Sequence, residues 1–374
     1  MLRFKKEYLK HIDIWMILLM TMLIGIGTVA ISSATAYSGD TTIVSKQITF
    51  FIIGFILMIV VMSIDYHLLG EWYLGIYVVT LLVLIAVFFL GVNVNGAARW
   101  IEIAGIQIQP SEFAKISVII CTAKLIEKYN PKINSIVTVG IIGAFQFIPF
   151  ILINRQPNLS TSIVIVLILV VQLFMSKLDL KYIFSAAIIG LLAVVLLLGY
   201  ILKNPNQKII AGYQRDRLVT KFEGGDSLDD HYQTSRSVHA IGSGGLNGKG
   251  LNQGAISQLN YLPESHNDFI VAIIAEEFGF IGVFIMLGII LLLIARGLWI
   301  AHAAPDDFGK LIVGGYIGMI AIQSFVNMGV VTNLLPNTGL PLPFISYGGS
   351  SLWANMIGMG LVLNVAMRRE ETMF

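Results

Sequence analysis

The chain has 374 residues, of which 56% are hydrophobic and only 12% charged, with a net charge of +2. Soluble domains run roughly 45–50% apolar and about 25% charged. This composition therefore excludes an ordinary soluble domain and predicts an all-α, polytopic membrane protein. No basic cluster of the kind nucleic acid requires is present, and the single cysteine, Cys121, excludes an intrachain disulfide and a cysteine-based metal cluster.

The chain opens with Arg3, Lys5, Lys6 and Lys10, followed by an apolar stretch from Ile14 to Ile31. That stretch is too long for the hydrophobic region of a signal peptide and reads as a first membrane helix. A span needs ~20 mostly apolar residues. Ten candidates follow in order, over roughly 13–34, 47–64, 71–91, 111–128, 135–153, 158–176, 180–202, 267–295, 308–333 and 347–367. They form a single integral membrane domain over 1–374, with a polar loop, 203–266, inserted between the seventh and eighth spans. Lys and Arg in short loops orient the bundle. With the N-terminus in the cytoplasm, the inner segments carry Arg3, Lys5, Lys6, Lys10, Lys128, Lys132, Lys177, Lys181, Arg296, Lys310, Arg368 and Arg369, against Lys46, Arg99 and Arg155 outside. Both termini are then cytoplasmic, and loops 92–110, 203–266 and 334–346 share the outer face.

The unusual residues gather in those three loops. Asp268 stands at the mouth of the eighth span, where an acidic side chain is costly and marks a functional candidate. A helix-terminal anion favoured by the dipole is the bland alternative. Glu276 and Glu277 lie deeper in that span, so at least one should face the protein interior in a hydrogen-bonding role. Glu112 and Lys115 are three apart, on one face of the fourth span, after Pro110 and Ser111 at its start. They form either an interfacial anchor or the charged wall of an outward cavity. Gly242 to Gly250 resembles a phosphate cradle without Walker spacing, and with Arg217 and Lys249 it could hold a pyrophosphate. The acidic run Asp226 to Asp230 reads as a solvated loop rather than a metal site. From Leu334 to Ser351 three prolines and repeated glycines forbid a continuous helix. Such backbone is tolerated near a membrane where it lines a cavity or packs within protein.

Several of these stretches resemble the SEDS family (shape, elongation, division and sporulation proteins), bacterial enzymes that polymerise peptidoglycan. They are Gly96 to Ile101, Gln109-Pro110-Ser111-Glu112 with Lys115, Ile241 to Leu246, Leu262 to Phe269, and Thr338 to Ser351. Gly248-Lys249-Gly250 and Ser257-Gln258-Leu259 look more like the rod-shape, RodA-type branch than the division, FtsW-type branch. Three positions depart from the family pattern. Asn158 stands where relatives carry Asp in a Gln-Pro-Asp-Leu-Gly-Thr segment, with Ser160 for its glycine, and Ala98 stands where a basic residue is common.

The resemblance implies a ten-helix protein of the bacterial plasma membrane that polymerises lipid II into β-1,4-linked glycan strands with inversion, releasing undecaprenyl pyrophosphate during cell-wall elongation. By the same resemblance Asp268 is the catalytic base for the acceptor sugar hydroxyl. Lys115, Glu112, Arg99, Trp100, Arg217, Lys249, Ser346 and Ser350 are the expected substrate-binding residues. Lys115 is expected to pair with Asp268 at rest, which would keep it deprotonated. No spacing demands a metal ion, and a divalent cation (Mg or Mn) stays open. The implied partners are lipid II, membrane lipids and a class B penicillin-binding protein, a transpeptidase. Two other functions share these features: a lipid II flippase and a membrane scaffold for a penicillin-binding protein. A flippase needs a polar path through the bilayer, whereas the polar motifs here crowd on one side.

Overall fold

The computed structural model describes residues 11–38, 42–94, 97–103, 105–204, 228–259, 261–262 and 265–369. Each of the ten predicted segments contains a helix. In chain order they are α1 (Ile14–Ala34), α2 (Thr42–Ser63), the short α3 (Tyr66–Glu71) leading into α4 (Tyr73–Leu90), α5 (Pro110–Tyr129), α6 (Ile136–Arg155), α7 (Leu159–Met175) and α8 (Leu180–Lys203). After the polar loop come α9 (Leu228–Gly244), the single turn α10 (Ala255–Gln258), α11 (Ile270–His302), α12 (Asp307–Val331) and α13 (Gly349–Met367). Among the described residues, 8 helices are long and apolar enough to cross a membrane by length and composition. α7 falls short with its 17 residues. α5 carries Glu112, Lys115, Lys124, Glu127 and Lys128, and its charges, not its length, set it apart.

The bundle is layered. α13 and α12 are buried along most of their length, whereas few residues of α2, α4 and α8 are buried. α13 lies against α2, where Gly360 permits close approach: a Cβ there would sit 2.7 Å from the Met58 carbonyl oxygen. Lipid gives little hydrophobic drive to helix association, so packing and polar contacts between helices carry it. Buried amides supply the latter. Asn364 Nδ2 donates to the carbonyls of Val61 (2.8 Å) and Met62 (3.2 Å). Gln172 Nε2 bridges Ile119 (2.9 Å) on α5 and Leu311 (3.2 Å) on α12. Gln146 donates to Ile165 on α7 and accepts from Thr122 on α5.

Two elements replace what the sequence presents as plain loops. The described residues between α4 and α5 form a three-stranded antiparallel sheet, β1 (Val92–Val94), β2 (Ala97–Ile103) and β3 (Ile106–Ile108), in the order β1-β2-β3. Its register sets Val92 opposite Trp100 and Ile101 opposite Ile108. The second is α9, which lies within the long polar segment and packs along the first part of α11. Ser237 ties it to the end of α12 by donating to the Val331 carbonyl at 2.7 Å.

α11 is not one straight rod. Gly279 sits at φ 65°, ψ −164°, a conformation essentially restricted to glycine, and breaks the helix there. The glycine-rich segment after α9 is inserted into the break. Lys249 N–H donates to the Glu276 carbonyl and Gly250 N–H to that of Glu277, both at 3.0 Å. In return Phe280 N–H donates to Gly245 (2.9 Å) and Ile281 N–H to Leu246 (3.1 Å). Backbone groups that a helix break would strand in an apolar medium thus find partners. Gly248, at φ 76°, is held so closely that a Cβ would overlap the Glu277 carbonyl. The expected phosphate cradle is therefore a clasp on a broken helix, and the N–H groups of Lys249 and Gly250 are engaged within it.

Candidate active site

Asp268 lies in the turn 265–269 immediately before α11 and is half-buried. The first residues of α11, Ile270 to Glu277, are all buried, so this end of the helix is enclosed by protein. Asp268 faces the non-helical segment 332–348 between α12 and α13. A Cβ built on Gly339 would stand 3.4 Å from Asp268 Oδ2, which places the carboxylate beside that glycine. The two segments are joined at their backbones as well. Tyr347 N–H donates to the His266 carbonyl at 2.9 Å, and the Tyr347 and His266 rings meet edge-on with centroids 5.5 Å apart. Burial raises the pKa of the Tyr347 phenol, keeping it protonated beside the site.

A chain of polar contacts runs from this corner to the head of α5. Ser160, in the first turn of α7, donates to the Thr338 carbonyl, next to Gly339. Asn158 caps α7 by accepting from Thr161 N–H at 3.3 Å, and its Nδ2 donates to Ser111 Oγ at 3.2 Å. Two of the residues that depart from the family pattern thus have definite tasks. The amide of Asn158 caps a helix and donates a hydrogen bond without bringing a charge, and the Ser160 hydroxyl fastens the loop facing Asp268.

One turn into α5, Lys115 Nζ pairs with Glu112 Oε2 at 2.9 Å. Their side chains are 1% and 4% exposed, so the pair is almost wholly desolvated. The expected resting pair of Lys115 with Asp268 is not formed. Residues three apart on one helix satisfy each other within the span, and the ammonium is engaged locally. The pair is neither the surface anchor nor the open charged wall considered from the sequence.

The other expected binding residues are distributed as follows. Arg99, on β2, donates to the Pro157 carbonyl at the head of α7, and Trp100 beside it is half-buried opposite Val92. Ser350, in the first turn of α13, accepts from Gln109 N–H at 2.9 Å and donates to the Gln107 carbonyl at 3.3 Å, fixing the sheet to that helix. Ser346 closes its own turn by accepting from Leu342 N–H at 2.9 Å. Lys249 pairs at 2.6 Å with Glu276, which also accepts from Ile256 N–H at 3.2 Å. Glu277 accepts from Ser33 of α1. Both deep carboxylates are buried and hydrogen-bonded, as their position in the span requires. Arg217 and the start of the acidic run, Asp226 and Ser227, lie outside the described residues. Asp268, Ser160, Asn158, Ser111 and the Glu112–Lys115 pair are thus linked across three helix ends, whereas Lys249 belongs to the clasp.

Sequence reasoning missed Asn327. On α12, 1% exposed, it donates through Nδ2 to the carbonyls of Asp268 (2.9 Å) and Leu340 (2.8 Å). An amide within an apolar run was the available signal. Among the described residues no three His, Cys, Asp or Glu side chains come together as a metal-binding group. The Asp268 carboxylate and the carbonyls of the facing loop are the oxygens that a divalent ion here could use.

Fold and site together define a multi-pass membrane protein with a single carboxylate placed where a break in the helical bundle meets polar backbone. The chain belongs to the FtsW/RodA/SpoVE family of cell cycle proteins, whose model matches residues 10–371. It is 36% identical to the peptidoglycan glycosyltransferase MrdB of Escherichia coli K12, over 96% of this chain and 95% of that protein. It is also 36% identical to the stage V sporulation protein E of Bacillus subtilis, over 95% and 96% of the two chains. The probable peptidoglycan glycosyltransferase FtsW of Trichlorobacter lovleyi is 33% identical, over 96% of this chain and 94% of its own. Among solved structures, a peptidoglycan synthase complex that coordinates polymerization and crosslinking matches with TM-score 0.82 and 28% identity, over 96% of this chain and 99% of that one. The rod shape determining protein RodA of Thermus thermophilus matches with TM-score 0.72 and 28% identity, over 96% and 97%. Membership of this family puts the chain in the bacterial cell membrane.

Proposed function

We propose that this chain is a peptidoglycan glycosyltransferase that polymerises lipid II, with Asp268 as the base that activates the acceptor sugar. The observation that carries the reading is the placement of Asp268: half-buried, at the enclosed head of α11, against the non-helical loop at Gly339. Both substrates hang on polyprenyl pyrophosphate tails, so the reaction must occur at a membrane face beside protein that lipids can reach. The charge count puts the Asp268 end outward, where such sugars are displayed.

In the proposed reaction the acceptor GlcNAc 4-hydroxyl gives its proton to the Asp268 carboxylate. Its oxygen forms a bond to the anomeric carbon of the donor MurNAc as the bond to the pyrophosphate oxygen breaks, inverting α to β. The leaving pyrophosphate is already a stable anion and needs no strong acid. A positioned base contributes about 10²–10⁴-fold, and orientation of the two sugars supplies much of the rest. The Asp268 carboxylate would hold Mg or Mn, where used, and the ion would supply charge neutralisation for the departing pyrophosphate. A class B penicillin-binding protein that crosslinks the product is the proposed partner, a reading supported by the likeness to a solved polymerising and crosslinking complex.

The test is synthesis of glycan strands from lipid II by the purified chain, with and without such a partner, resolved on gels. Polymer from the native chain and its loss in Asp268→Asn protein are expected. Normal polymer from Asp268→Asn would remove this residue from the mechanism. Translocation of lipid II in liposomes with no polymer would favour the flippase.

A further inference from the structure

We infer that Asn327 is the positioning residue that sets Asp268 for proton transfer, by clasping the backbone of the base and the backbone of the wall opposite it. The inference rests on the reading of Asp268 as the base. Asn327 lies near the end of α12 and is 1% exposed. Its Nδ2 donates to the Asp268 carbonyl at 2.9 Å and to the Leu340 carbonyl at 2.8 Å. Both partners are carbonyl oxygens, which only accept, so the amide must present its nitrogen to them. One NH₂ group with two hydrogens thus serves two carbonyls from two different segments. The first belongs to the base itself. The second follows Gly339, the residue that stands beside Asp268 Oδ2.

This arrangement fixes the distance between the carboxylate and its facing loop at the point nearest both. Other contacts act away from the base itself: Ser160 holds Thr338 to α7, Ser237 holds the end of α12 to α9, and Tyr347 ties the facing loop to the turn at His266, two residues before Asp268. Asn327 bonds the base's own residue and the facing loop at once, from a helix that is among the most buried of the bundle. A displacement of 1 Å at a reacting group costs about 10²-fold in rate, so loss of the clasp should appear in turnover. It should leave the capture of lipid II by the rest of the molecule intact.

Asn327→Asp is the sharp test, because it keeps the shape, removes both donors and sets a carboxylate against two carbonyl oxygens. Asn327→Ala is the second variant, removing the donors without adding charge. Each full-length protein is purified in detergent, its melting followed, its lipid II binding measured, and kcat and KM determined by gel-resolved polymerisation beside the native chain. Expected is a fall in kcat of about 10²-fold in a folded variant, with lipid II affinity and KM held within a few-fold. The inference is overturned by native kcat in either folded variant, by a loss confined to KM, or by both variants failing to fold, which would make Asn327 a support of the bundle. Failure of the native chain to polymerise would instead count against the glycosyltransferase reading and is seen in the same assay.

Discussion

Replacing Lys115 by methionine should strand the Glu112 carboxylate inside the bundle. The two charges are 2.9 Å apart with side chains 1% and 4% exposed. At an effective dielectric of about 20 their attraction is about 6 kcal/mol, gross of the desolvation both groups suffer. Removing one partner of such a pair costs about 3–5 kcal/mol, because the other is left charged and dry. Replacing both, as Glu112→Leu with Lys115→Met, should be nearly neutral or stabilising. The molecule carries its own reporter, since the single cysteine, Cys121, is fully buried two turns further along α5. Its modification by a thiol-reactive dye requires opening of this region, and in the fast-closing regime the rate follows the open population. At about 1.4 kcal/mol per decade, Lys115→Met should label at least about 10²-fold faster than the native chain, and the double variant at close to the native rate. Native labelling by Lys115→Met would refute the claim that the pair is desolvated. Equal loss in the single and double variants would show that something other than a stranded charge is at work.

Other outcomes follow from the same geometry. Gly279→Ala or Gly248→Ala should prevent the clasp from closing, since each needs a positive φ and a Cβ would overlap backbone of the other segment; a large drop in melting temperature is expected, and native melting would count against the break. Arg296→Met should destabilise by about 1–3 kcal/mol, because Asp13, whose side chain is fully buried, would lose its partner at 2.7 Å and keep only Arg369 at 3.9 Å; melting in detergent checks it. Burial pushes the Asp65 carboxyl up, but the His67 N–H and ring and the Arg368 charge outweigh it, leaving its pKa below 3.8. Its contribution to stability is therefore present above that value and lost as pH falls through the lower folded one, so Asp65→Asn should flatten the acid limb of the stability profile.

Much of the architecture was legible because a bilayer imposes length and apolarity on every span. A helix within each predicted segment follows from that rule, and 8 of these helices are long and apolar enough to span, with Asp268 just before one of them. What escaped was pairing across distance. The segment 92–108 alternates too little over too short a length to announce three strands. α9 is polar along much of its length, and its hydrophobic signal is weak until α11 is beside it. The glycines of 242–250 suggested an anion site because glycine permits close approach to anything; here the thing approached is the Gly279 break. Glu277 and Ser33 meet across most of the chain, and Lys115 chose the partner on its own helix.

The clasp also has a consequence for anyone altering the protein. A polar, glycine-rich stretch between two spans invites a tag, a fluorophore or a cleavage site, because exposed loop tips usually accept them. Residues 244–250 are the opposite of such a tip: their main chain completes another helix, so an insertion there would act at the centre of the fold. Labels intended to report on Asp268 without disturbing it belong away from this stretch.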